Sequence, residues 1–236
     1  RTTVDAEQPY RIVISDSSNG GTTWSNPETI DNDVEVDFRA SPWVTAEGSD
    51  IAVVWSDRDS SGGASSEQDI LYATSGDGGS SWSAVNQISE HYYEADSWMP
   101  ALATSGDSLY LAYWDGGDLN QQSDSNGNDA HGDDGDIFFR HSGDDGESWS
   151  DPVVISNFDE DGDTNGYSVE QTDYRPSISA SGDYVYVAWV DYGLYDEDGL
   201  LDYDILMSVS SDRGSNWGTP FIISLSRIHN SEPTRP

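Results

Sequence analysis

One eight-residue pattern, Ser-x-Asp-x-Gly-x-x-Trp, recurs along this chain and constrains its fold more than any other feature. It stands at Ser75, Asp77, Gly79 and Trp82, again at Ser142, Asp144, Gly146 and Trp149, and again at Ser210, Asp212, Gly214 and Trp217. A fourth copy at Ser17, Asn19, Gly21 and Trp24 carries Asn in place of Asp. The tryptophans are 58, 67 and 68 residues apart. Recurrence at such a period marks stacked units, none of which buries its apolar surface alone. Within each copy the Ser and Asp side chains are suited to bond turn backbone, and the Gly permits φ > 0. The Trp is then expected to fold back beneath the turn.

The units agree outside the motif as well. Each opens on a segment ending in Pro: "FRASP" (38–42), "SWMP" (97–100) and "DYRP" (173–176). An apolar stretch closing on Asp follows: "IAVVWSD" (51–57), "LYLAYWD" (109–115) and "YVAWVD" (186–191). A polar loop of variable length leads to "DILYATS", "DIFFRHS" or "DILMSVS", then to the turn and a last strand. These short stretches are bounded by Gly, Asp, Ser and Pro, with no helical period. The second stretch is apolar on both faces: Ile51, Val53 and Trp55 on one, Ala52 and Val54 on the other. A sheet with one wet face would alternate instead, so both faces must be covered, as when four-stranded sheets stack around a ring. The predicted fold is all-β, a β-propeller of four-stranded antiparallel blades.

This in-phase motif resembles the Asp box of sialidases and of the wider sialidase-like (BNR-repeat) propellers, and the resemblance runs through the whole chain. It implies that the boxes are structural and lie away from the active face. Three complete blades are expected over about 39–95, 96–172 and 173–230, after a partial blade over 1–38 and before the start of another at 231–236. The chain then reads as one propeller segment. Its remaining blades would come from the rest of a longer chain or from neighbouring chains.

Composition bounds the partners. The chain has 45 acidic residues against nine basic ones, all Arg, for a formal charge of −36. Such charge disfavours nucleic acid and anionic membranes, and no apolar run is long enough to span a bilayer. Self-repulsion must be screened by salt or by bound cations. With no Cys, disulfides and thiolate metal sites are excluded.

The acidic loops between second and third strands, and between blades, are expected on one face, opposite the boxes. In "NFDEDGDTNGYSVE" (157–170), Asn157, Asp159, Asp161 and Gly162 match the start of a calcium loop, with oxygen ligands at alternate positions and Gly at the sixth. Asp163, Asn165 and Glu170 extend that set. Weaker ligand candidates are Asp124, Asn126 and Asn128, and Asp196, Asp198 and Asp202. Structural Ca²⁺ is the expected cofactor. Sialidases hold a substrate carboxylate with three arginines, and Arg39, Arg175 and Arg235 are the weak anion-binding candidates here. None has the family's Arg-x-Pro spacing, and a salt bridge to a neighbouring Asp is their favoured role.

The reading is therefore a non-catalytic, calcium-stabilised propeller of a secreted or cell-surface protein, serving binding, adhesion or assembly with a glycan or protein ligand. The alternatives are an exo-acting glycoside hydrolase of the sialidase type, with catalytic groups partly outside this segment, and a structural repeat of an extracellular assembly.

Overall fold

A computed structural model describes residues 11–30, 36–59, 68–89, 96–116, 135–156, 172–195 and 201–224. Fourteen strands are found among them, and no helix. A two-stranded piece, β1 (Val13–Ile14) and β2 (Glu28–Thr29), comes first. The first full blade follows, from β3 (Val36–Glu47), β4 (Asp50–Asp59), β5 (Gln68–Ser75) and β6 (Asn86–Gln87). The second comprises β7 (Ser97–Ser105), β8 (Ser108–Asp115), β9 (Asp136–Ser142) and β10 (Val153–Val154). The third comprises β11 (Thr172–Ser181), β12 (Tyr184–Tyr195), β13 (Leu201–Ser210) and β14 (Phe221–Ile222). Every neighbouring pair is antiparallel and every blade keeps chain order, which is the predicted architecture.

Two-face burial is realised literally. In β4, Val53 and Trp55 join Ile12 and Ile30 in the layer toward the two-stranded piece, while Ala52 and Val54 join Leu109, Leu111 and Tyr113 of the second blade. In β8, Tyr110 and Ala112 face the other way and pack with Val185, Val187 and Trp189 of the third blade. The core is thus a series of apolar layers at the seams between blades. No single blade owns one.

The inner strands share a device that only strand pairing reveals. Two residues of β3, Ser41 and Pro42, oppose the single Trp55; Met99 and Pro100 oppose Tyr113, and Arg175 and Pro176 oppose Trp189. Pro has no N–H for the ladder and is confined within sheets to edges and bulges. Its predecessor takes φ of 53°, 51° and 50° in the three blades, a left-handed conformation that bulky residues seldom adopt. Each bulge lies opposite an aromatic side chain no more than 1% exposed.

Candidate functional site: the face opposite the repeated turns

Each blade has two edges, and the repeated turns occupy one of them. In the first full blade the Ser75 hydroxyl donates to Asp77 Oδ1 (2.9 Å) and accepts from the Gly79 N–H (2.9 Å). Asp77 Oδ1 also accepts from the Ser81 N–H at 2.8 Å. The same bonds recur at Ser142, Asp144, Gly146 and Ser148, and at Ser210, Asp212, Gly214 and Asn216. Asn19 substitutes without loss, its Oδ1 accepting from Ser17 and from the Thr23 N–H. Side-chain donation from Ser81, Ser148 and Asn216 is the main cause holding the Asp77, Asp144 and Asp212 carboxyls below their ordinary range. These carboxylates are spent on their own turns.

The tryptophans reach further than the sequence suggests. Trp149 meets Tyr72 of the preceding blade edge-on, with ring centroids 5.6 Å apart, and Trp217 meets Phe139 at 4.7 Å. Trp82 packs on the layer holding Ile12 and Ile14. Trp24, ahead of which no blade is described, is 65% exposed. The turn glycines share this seam. Tyr72 Oη donates to the Gly146 carbonyl at 3.0 Å, and a Cβ on Gly214 (φ +85°) would lie 2.3 Å from the Phe139 ring.

On the opposite edge, strand register lines up three rows: Arg39, Asp57 and Asp69; Ser97, Asp115 and Asp136; Asp173, Asp191 and Asp204. The third member of each row is clasped by a serine just past the outer strand. Ser89 donates to Asp69 (2.8 Å), Ser156 to Asp136 (2.7 Å) and Ser224 to Asp204. Each of those hydroxyls also accepts the backbone N–H of the next residue on the third strand. In the second row Ser97 donates to Asp115 Oδ2 at 2.5 Å. Asp57, Asp115, Asp173, Asp191 and Asp204 are all buried. These rows brace the blades, and they leave little acid chemistry pointing outward.

The arginine candidates are not equivalent. Arg39 sits in the first row, opposite Asp57, whereas the exposed Arg175 sits two residues later in its strand, at the bulge shared with Ser41 and Met99. Arg39 stands three residues before its Pro and Arg175 one, the same two-residue difference that separates their strand positions. Arg235 lies outside the described residues, as do Asn157, Asp159, Asp161, Asp163, Asn165, Glu170, Asp124, Asn126, Asn128, Asp196 and Asp198. Asp202 lies on β13, paired with Leu194. Among the described residues no three acidic or histidine side chains converge as a metal site. A cleft of about 120 Å³ opens on the turn edge between the first two full blades, lined by Thr45, Asp50, Thr74, Thr104 and Asp145 among others. Ligand pockets usually hold about 300–1,000 Å³, so this one is small. Burial first, then the Asp107 and Asp50 charges, push the Asp145 carboxyl up.

Two structural residues escaped the sequence reading. Arg140, 7% exposed, donates from Nε to the Ser150 carbonyl (2.7 Å) and from Nη1 across the seam to the Ile88 carbonyl. Its place in an apolar strand was the available signal. The other is Asp173, which occupies a position that is Ser or Arg in its sister blades.

No family model and no curated protein matches this sequence. Solved structures do. An α-L-arabinofuranosidase of Fusarium graminearum superposes with a TM-score of 0.57 at 18% identity, over 89% of this chain and 58% of that one. An α-L-arabinanase of Penicillium chrysogenum gives 0.56 at 16%, over 85% and 54%. The Trypanosoma rangeli sialidase gives 0.51 at 13%, over 89% and 33%. The fold is that of a sialidase-like β-propeller. The propeller described here spans between a third and three fifths of the length of these neighbours. At such identities the likeness carries the fold alone.

Proposed function

We propose that this chain is a non-catalytic, calcium-stabilised propeller segment of a secreted or cell-surface protein, and that its acidic face serves binding, adhesion or assembly. The observation that carries the non-catalytic reading is the commitment of four described carboxylates of that face. The Asp of each third strand is clasped by Ser89, Ser156 or Ser224, and Asp115 accepts from Ser97. A glycosidase needs two carboxyl groups facing one substrate at a set separation, and the arginines that would hold an anion stand at different strand positions. Glycans are the favoured ligands, because the neighbours of like fold are glycoside hydrolases, and a protein ligand is the other class. Remaining blades come from a longer chain or from neighbouring chains. Calcium bound by the 157–170 loop neutralises part of the −36 charge.

The test pairs a glycan array with hydrolysis assays on a fluorogenic sialoside and an arabinofuranoside. Glycan binding without turnover supports this reading. Turnover lost on Arg175→Ala favours the alternative, an exo-acting hydrolase.

A further inference from the structure

Each full blade places one residue of its inner strand opposite the aspartate that closes its second strand, and the three blades answer that carboxylate differently. The second offers a donor, Ser97, bonded to Asp115. In the first, the residue in register with Asp57 is Arg39. The third offers another acid, Asp173, in register with Asp191. A hydroxyl or a guanidinium suits a carboxylate, but two carboxyls facing each other do not ionise together at low cost.

Burial sharpens the conflict. Asp173 and Asp191 are 5% and 4% exposed, and Asp173 Oδ1 meets no hydrogen-bond partner among the described residues. The groups facing the pair add negative charge. Asp204 of β13 stands opposite Asp191, and Asp136 of β9 approaches from the preceding blade. The Ser156 hydroxyl gives its one proton to Asp136 at 2.7 Å. A single shared proton removes one of the two facing charges.

We propose that Asp173 and Asp191 share one proton in the folded protein, making the seam between the second and third full blades an acid-strengthened latch. The latch acts at the seam because the Asp173 N–H donates across it to the Gly135 carbonyl at 3.1 Å. With the proton present the pair makes a carboxyl–carboxylate hydrogen bond. When it leaves, two buried charges repel beside that bond. Burial, and after it the Asp191 charge, hold the Asp173 carboxyl well above its ordinary range, in keeping with this arrangement. The sign follows from linkage. The folded state keeps a proton that the unfolded chain releases, so the contribution is complete below the ordinary carboxylate range and is lost as pH climbs toward the raised value. Asp77, Asp144 and Asp212 contribute no slope above about pH 5, being ionised in both states there.

The experiment measures protons released on urea unfolding between about pH 5 and about pH 8, for the whole chain and for Asp173→Asn, Asp145→Asn and Ser97→Asp. Asp173→Asn is expected to lose close to one proton of release and to gain midpoint stability at the alkaline end. Asp145→Asn, which removes another raised carboxyl, is the control and should leave that proton in place. Ser97→Asp, which builds the same pair opposite Asp115, should add one. Infrared spectra of the folded wild type at neutral pH should show a protonated-carboxyl band that Asp173→Asn removes, a readout available even if a variant folds poorly. Unchanged proton release in a folded Asp173→Asn variant, or no such band in the wild type, overturns the proposal.

Discussion

At the residue scale, the tryptophans of the repeated turns are chemically alike and differ only in what lies before them. Trp149 has a preceding blade to cover and Trp24 has none described, so equal truncations should have unequal costs. Removing a buried aromatic side chain typically costs about 3–5 kcal/mol, and Trp149→Ala should fall in that range by urea denaturation. Trp24→Ala, at 65% exposure, should cost a small fraction of it. Gly214→Ala gives a sharper contrast with the Asp-to-Asn difference that the first turn carries at Asn19. Its new Cβ meets the Phe139 ring at 2.3 Å and its φ is +85°, so both packing and backbone oppose it. Overpacking of this kind costs about 1–3 kcal/mol before the backbone strain is counted. Asp144→Asn should cost less than Gly214→Ala, and the reverse order would mean that the turn's charge outweighs its approach to the neighbouring blade.

At the scale of elements, the sequence made the strands legible because apolar periodicity and turn residues are local signals. The two-face-apolar second strands and the recurring turns were enough to place four strands per blade. The inner-strand bulge was not legible. Whether Ser41-Pro42 opposes one residue or two depends on its partner strand, and a one-residue shift changes which side chain faces which. The sequence groups Arg39 with Arg175 because both lie in an entry segment ending in Pro, yet they stand three residues and one residue before it, and register sets them apart. The row of buried acids was visible only as recurring Asp at loop ends, and the serines that clasp them lie about twenty residues downstream. Among the described residues, the first piece, β1 and β2, has two-residue strands paired to each other and to no inner strand. Hydrogen exchange should therefore show lower protection over 11–30 than over 185–223. Equal protection would mean that another segment completes that edge.

At the scale of the whole molecule, charge and seams decide behaviour. A chain at −36 without Lys should be less stable in dilute buffer than in molar salt, because screening lengths shrink from about 10 Å at 0.1 M to about 3 Å at 1 M. A urea midpoint that stays flat across a KCl series, with calcium held fixed, would mean that bound ions already neutralise the carboxylates. Calcium itself is tested on EDTA-treated protein, where millimolar Ca²⁺ should raise the melting temperature and an unchanged value would remove the loop 157–170 from the account. The central claim is that these blades form one body because the repeated turn of each full blade seals it onto the unit before. A double-mutant cycle across the seam between the first two full blades, with Tyr72→Leu, Trp149→Leu and the pair, measures that directly. The edge-on rings, 5.6 Å apart, should couple by about 0.5–1.5 kcal/mol. Strict additivity of the two substitutions, in variants that remain folded, would contradict it.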